Sequence, residues 1–357
     1  MSAKSFLFMD SCDHYDQTSY IGLKWNVLGI GTSSTSAGRN GRGIQFNNSG
    51  GLGKSCPHNS SWVFGWAINI GNTEGAFGEG SFYQASHAGD TTLFTIFSEG
   101  DGSVSIYAGN GRTTLIANSG SSGLFLKSGV WYWFDCKFEI TGTTPMSITA
   151  TFRVNTQVWC TGSGSTGINV SSLLLQTATT NFHQFFNPSG VTSIDDIAIF
   201  PIDGTGSVND FFGDTMLSVL FPRADVTANW TAVGGSTSTM WDHVNDQFAE
   251  ANDDTIYIKS DTAGQDANMQ WQPVSVPAGG SIIAVHYGVL ARKDAEGSRS
   301  FEQTVGPTGG FLQLGPTWFP GDSYAYYFFG MDQDPNTGAP WTATGFDGTD
   351  FGVQLVS

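Results

Sequence analysis

The chain is short of charge. Only 13% of its 357 residues are Asp, Glu, Lys or Arg, about half the ~25% usual in soluble domains. Basic residues are the scarcer kind: 14 Lys and Arg stand against 31 Asp and Glu, for a formal net charge of −17. A phosphate backbone is repelled by that balance, which argues against nucleic acid as a partner. An anionic membrane surface is disfavoured for the same reason. Cysteine is rare as well. Cys12, Cys56, Cys136 and Cys160 are the full complement. No pair has C-x-x-C spacing and no Cys/His set has zinc spacing. Cys136, inside WYWFDCKF, and Cys160, after Trp159, read as small buried hydrophobes. No apolar run approaches the ~18 residues of a membrane span. The first residues, MSAKSFLFMDSCDHYD, lack a basic region followed by a long apolar stretch, so no signal peptide is expected. Synthesis in a reducing cytoplasm with free thiols follows as an expectation.

Glycine and aromatics are what the chain has in quantity. There are 47 Gly, 27 Phe and 11 Trp. Many aromatics and few charges are the opposite of a disordered composition. Apolar or alternating runs such as RGIQF, WVFGWAINI, TLFTIFSEG, SVSIYAG, WYWFDCKFEI, SITATFRVN and IDDIAIF read as strands. Glycine-, asparagine- and serine-rich turns separate them at roughly 8–15-residue intervals, a spacing close to that of β-sandwiches. The best helical segment is SVNDFFGDTMLSVL, residues 207–220, with Ser207 as cap and Gly213 against it. It also marks a boundary. The reading is an all-β chain of two parts: a jelly-roll sandwich over 1–205, a linker with a short helix over 206–222, and a smaller β-sandwich over 223–357.

Several motifs come close to a chemistry and then miss it. NSGGLGKS, residues 48–55, is one residue from a phosphate-binding loop. Asn48 replaces the first glycine, and CPHNSSWVFGWAINI follows where a helix N-terminus must supply amides. The stretch is expected to be a loop between strands. DQDPNTG, residues 332–338, spaces Asp332, Asp334 and Asn336 like a calcium loop, but its glycine is one place late and no acid closes it. Asp90 and Asp101 are further loop acids. Asp195 and Asp196 are adjacent on a strand, so they are expected on opposite faces rather than as a catalytic pair. GSGSTG, residues 162–167, has the letters of a nucleophile elbow and reads as a turn. His14, His58, His87, His183, His243 and His286 are scattered, with no metal-binding spacing. Trp62, Trp66, Trp131 and Trp133 alternate along their strands, one face for a core and the other for an interface. YAYYFFG, residues 324–330, reads as a strand with aromatics on both sides.

Two resemblances add to this. FMDSCDHYD, GRGIQF, WVFGWAINI, WYWFDCKFEI and SIDDIAIFP resemble, in order and style, the strands of concanavalin A-like, laminin-G-like jelly rolls over about residues 1–205. FMDSCDHYD, the late DPNTGAPWT with Asp334, Pro335, Thr337, Gly338, Trp341 and Thr342, and the final Gly352-Val353 resemble structural proteins of tailed bacteriophages. The segment IIAVHYGVLARKDAEGSRSFEQTV, with Arg292-Lys293-Asp294 at a turn, has the same style. The resemblance implies a virion component: a capsid decoration, head fibre or tail-surface module. Its partners would be other virion proteins, further copies of itself, or a host glycan. Laminin-G-like domains often hold calcium or sugar through rim acids, and no acid here matches such a site. The expectation is therefore a structural protein without enzymatic activity, catalytic residue, metal or cofactor. The alternatives are a carbohydrate-binding adsorption module and a polysaccharide depolymerase.

Overall fold

The computed structural model describes the chain apart from residues 1–7, 14, 16–20, 23, 26, 30–32, 48–50, 58–59, 71–79, 88–90, 100, 102, 110, 121–126, 128, 142–146, 166–179, 187–190, 203, 205–207, 236–237, 246–253, 295, 308 and 311. It is an all-β protein of two compact units. One comprises residues 8–204 and 208–217; the other is built mainly of 218–357.

The first unit contains β1 (Phe8–Asp10), β2 (Val27–Gly29), β3 (Ser33–Ala37), β4 (Arg42–Asn47), β5 (Gly51–Pro57), β6 (Ser61–Ile70), β7 (Gly80–His87), β8 (Thr91–Ser98), β9 (Val104–Ala108), β10 (Thr114–Asn118), β11 (Trp131–Thr141), β12 (Ser147–Val154), β13 (Gln157–Ser165), β14 (Thr180–Phe186) and β15 (Val191–Pro201). They form two antiparallel sheets. The first runs β13-β12-β11-β6-β15-β4-β3, with β1 also on β15; the second runs β10-β9-β8-β7-β14-β5-β2. Strand alternation aims one face of each sheet at the other. Trp62, Phe64 and Trp66 of β6 pair with Phe138, Cys136 and Phe134 of β11, and all six are buried. Across the gap, Phe64 stacks on Tyr83 of β7 with centroids 4.0 Å apart, and Phe94 of β8 meets Phe138 edge-on at 4.7 Å. Such pairs add about 0.5–1.5 kcal/mol each beyond the area that they bury. The sheets meet again at one margin, where Gly162 of β13 lies so close to β10 that a Cβ would collide with the Ile116 carbonyl oxygen. The GSGS letters, expected as a turn, are therefore a strand whose glycines admit the opposite sheet.

The helix expected over 207–220 does not form: residues 208–220 are extended or irregular. Residues 208–217 cross the outer side of the first sheet as a strap. Phe212 packs on Trp133 at 5.8 Å and Phe200 at 4.9 Å. Phe211 takes the Arg153 guanidinium 3.7 Å above its ring, and Asp210 bonds Lys137 at 3.3 Å. Both adjacent phenylalanines reach the sheet, and Gly213 sits at φ +75°, so tertiary contact overrides a weak helical pattern. Trp133, on the outer face of the first sheet, is covered by its own chain.

The second unit has β16 (Pro222–Ala228), β17 (Thr231–Val233), β18 (Tyr257–Lys259), β19 (Asp266–Trp271), β20 (Val285–Ala291), β21 (Phe301–Pro307), β22 (Leu312–Trp318), β23 (Ala325–Met331), the short helix α1 (Ala343–Asp347) and β24 (Thr349–Leu355). A five-stranded sheet, β16-β19-β24-β21-β22, faces the β20–β23 ribbon. Tyr287, Phe329 and Met331 of the ribbon pack with Val305, Phe351, Trp341 and Phe346. Trp341 also donates its indole N–H to the Met331 carbonyl at 3.1 Å. Replacing Trp341 with Ala should cost about 3–5 kcal/mol. A second unit melting at the parental midpoint in calorimetry would contradict this core.

Candidate functional site

Two polar clusters stand out in the first unit, one buried and one partly exposed around the buried Glu99. The buried cluster begins at β1. The Asp10 carboxylate accepts from Tyr15 Oη at 2.7 Å, Trp25 Nε1 at 2.6 Å, Lys24 Nζ at 3.1 Å and the Cys12 amide at 3.0 Å. Nearby, the β3–β4 turn is held by two more acids. Asp13 accepts from the Arg42 amide at 2.8 Å, and Asp195 accepts from the Arg39 amide at 2.7 Å. Gly41, at φ +103°, leaves the space that the Asp13 carboxylate occupies.

Asp195 and Asp196 are not split across the sheet as strand alternation predicts. The register of β15 against β6 shifts between Asp195 and Ala198, and Asp196 sits at φ +52°. That bulge turns both carboxylates toward Arg39. Both residues are 1% exposed. Asp195 also accepts from the Asp196 amide at 2.8 Å. Asp196 accepts from the Leu217 amide at 2.8 Å through Oδ1, while its Oδ2 has no hydrogen bond and lies 3.8 Å from Arg39. Burial, then the Asp196 charge, pushes Asp195 up to about 8. Burial likewise pushes Asp196 up to about 7, against the Leu217 amide and Arg39. Burial and then Asp10 raise the Cys12 thiol well above its ordinary value. Closed in on this scale, the cluster is a set of internal acceptors rather than a cleft.

The surface cluster lies on the second sheet. Phe94, Ile96 and Ile106 fill the core, so their neighbours Phe97 and Tyr107 face outward. Tyr107 meets Phe97 edge-on at 5.7 Å. The Tyr107 hydroxyl donates to Glu99 Oε1 at 3.0 Å. Arg112 donates to the other oxygen of Glu99 and lies 5.6 Å from the Phe97 ring centre. The Arg112 side chain is 40% exposed and Leu115, paired with Tyr107, is 53% exposed. Two aromatics beside a mixed acceptor and donor pair form a surface able to hold a molecule that is apolar on one face and hydroxylated at its edge. Sequence reasoning did not single out these residues. Phe97 and Glu99 at alternate positions were visible, but their meeting with Tyr107 and Arg112 depends on strand register.

The other sequence candidates do not converge on a reaction centre. Lys54 of GLGKS is in strand β5, donating to the Lys24 carbonyl at 2.6 Å, so this half of the stretch is neither a loop nor a phosphate cradle. Residues 48–50 lie outside the described residues. Asp334 accepts from the Asn336 amide at 2.8 Å and its carbonyl receives the Thr337 and Gly338 amides, so DQDPNTG is a self-bonded turn. Asp332 is buried beside it. Asp101 accepts from the Ser103 amide at 2.9 Å. His243 is buried, with both ring nitrogens 2.8 Å from the Thr239 and Gly234 carbonyls, and His286 stacks on Phe328. His14, His58 and Asp90 lie outside the described residues, as do the side chains of His87 and His183. Among the described residues, no three His, Cys, Asp or Glu side chains are placed to hold a metal.

No family model matches the chain, and no curated protein does. Solved structures do, loosely. An alginate lyase from Aplysia kurodai is 10% identical, with a TM-score of 0.42 over 56% of this chain and 100% of that one. An alginate lyase from a Chlorella virus is 14% identical, with a TM-score of 0.36 over 51% of this chain and 95% of that one. A carbohydrate esterase from the Shiga toxin-encoding bacteriophage phi24B is 12% identical, with a TM-score of 0.35 over 54% of this chain and 96% of that one. These neighbours correct the expectation of a chain without enzymatic activity, because the similar proteins are themselves polysaccharide lyases and an esterase. The missing motif is no ground for excluding catalysis. Identities this low carry no residue's role across.

The buried thiols give a direct check on the packing of this unit. Burial raises Cys136 well above its ordinary value and Cys160 to about 12. At pH 8, Cys12, Cys136 and Cys160 should resist alkylation in the folded protein and react once it is unfolded. Rapid native labelling of any of them, read by peptide mapping, would show that its strand is not packed as described.

Proposed function

We propose that the first unit engages a polysaccharide on the outer side of its second sheet, at Phe97, Glu99, Tyr107 and Arg112. The observation that carries this reading is the partly exposed aromatic pair set against a Glu–Arg pair. The C–H face of a sugar ring complements the negative face of an aromatic ring. Glu99 accepts and Arg112 donates, so together they suit hydroxyls on adjacent ring carbons. The cluster is internally neutral and the chain carries −17. An incoming polyanion would have to displace Glu99 from Arg112 and approach a repelling surface. An uncharged, hydroxyl-rich glycan adds bonds to both groups instead. The alginate and glucuronan lyases, the phage esterase and an arabinanase domain bound to arabinotriose are the carbohydrate-active neighbours behind the general class. The resemblance of FMDSCDHYD and DPNTGAPWT to tailed-phage proteins supports a setting on a virion, made in the host cytoplasm and directed at a host glycan.

Binding measured by affinity electrophoresis against neutral and acidic polysaccharides tests this. Phe97→Ala and Arg112→Ala should each weaken retention on a neutral glycan by about tenfold, equivalent to ~1.4 kcal/mol. Their melting midpoints should stay near the parent's. Equal retention by both variants would remove this face from the reading. Release of reducing or unsaturated ends in the same samples reports whether the bound polymer is also cut.

A further inference from the structure

The buried acids at the β15 bulge have a second consequence, independent of any glycan. We propose that Asp195 and Asp196 form a proton-operated latch on the strap, residues 208–217. The strap is tied directly to the bulge at one place and to Arg39 of the β3–β4 turn at two more. Its Leu217 amide donates to Asp196 Oδ1 at 2.8 Å. Its Thr215 carbonyl accepts from Arg39 at 3.2 Å. Its Asp214 carboxylate pairs with the same Arg39 at 2.6 Å. Arg39 in turn presents its amide to Asp195 and its guanidinium to Asp196. The chain passes from this strap directly into the second unit.

A dyad so closed ionises in place only at a cost. Facing it are Asp13, Asp214 and Cys12, with Arg39 as the cation and the Asp10–Lys24 pair beyond Cys12. Arg39 is shared between Asp196 and Asp214, and the Asp196 Oδ2 oxygen has no donor. Opening the strap admits water and lets both carboxylates return toward their ordinary values. The closed form therefore binds protons more tightly than the open form. The sign follows from linkage: the tighter proton binder loses ground as pH rises. The closed strap is most favoured near pH 4 and is progressively released up to about pH 8, the folded value of Asp195.

Hydrogen exchange on the full chain, corrected for the intrinsic rate, tests the latch. From pH 6 to pH 9, protection at Leu217 and its neighbours should fall by about tenfold or more, at least one pKa unit's worth. Protection of β11 should not change in parallel. Asp196→Asn retains an acceptor for the Leu217 amide, tolerates the left-handed backbone and cannot ionise, so it should flatten the pH dependence. Asp195→Asn provides a second non-ionising pair if that variant folds poorly. A parent strap no more pH-dependent than β11, or an unchanged slope in a folded variant, would overturn the proposal. Glycan retention is not part of this readout, so the two proposals fail separately.

Discussion

Backbone amides in irregular segments must find acceptors, and in this protein buried aspartates provide them. A two-sheet sandwich satisfies most of its own amides through its ladders. Its crossings and turns are not satisfied that way. Here Asp10 takes the Cys12 amide, Asp13 the Arg42 amide, Asp195 the Arg39 and Asp196 amides, and Asp196 the Leu217 amide. All but the Asp195–Asp196 bond, which lies within β15, join a segment with no ladder partner to a strand that has one. A carboxylate is a strong acceptor for this use, since hydrogen bonds to charged groups are worth about 1.5–3 kcal/mol. It also brings a desolvation cost that only pairing and several donors offset. Asp10, with four donors, meets that condition; Asp196, with one amide and a distant guanidinium, does not.

The same economy of charge shapes the outer side of the first sheet. Asp135 is fully buried there and holds Arg153 through two bonds, at 2.9 Å and 2.5 Å. Burial raises the Asp135 carboxyl, and Arg153 opposes that rise. Phe211 closes the guanidinium from above. The strap is therefore the lid of a polar pair as well as the cover of Trp133. The aromatic-rich outer face of this sheet is used internally. The Phe97–Arg112 cluster is on the outer side of the other sheet, where the side chain of its arginine keeps 40% exposure.

The fold class was legible because it rests on period and punctuation. WVFGWAINI and WYWFDCKFEI alternate over β6 and β11, and the glycine-rich stretches between runs mark their ends. What the sequence hid depends on pairing. A helix was plausible for 207–220 because local pattern cannot register that Phe211 and Phe212 have places waiting on a sheet. GSGS resembled a turn because glycine signals both turns and close approach, and only the position of Ile116 decides between them. Asp195 and Asp196 were separated by a period-2 argument that a single bulge reverses. The surface cluster required Tyr107 to lie diagonally across from Phe97, a fact of register that no spacing within either strand contains.

The choice of residue at the bulge carries the last step. At φ +52°, glycine and asparagine are the residues that fit with least strain, and aspartate is tolerated. Asparagine would meet the Leu217 amide with the same geometry and bring no buried charge. Glycine would remove the side chain and leave that amide without a partner. Aspartate thus holds the strap at a desolvation cost that asparagine would not bring, and it stands beside a second buried aspartate with Arg39 shared between them. A position optimised for stability alone would not combine these. The pair makes sense where the hold on the strap is required to weaken with loss of a proton, within a range of pH that an ordinary exposed carboxylate never senses.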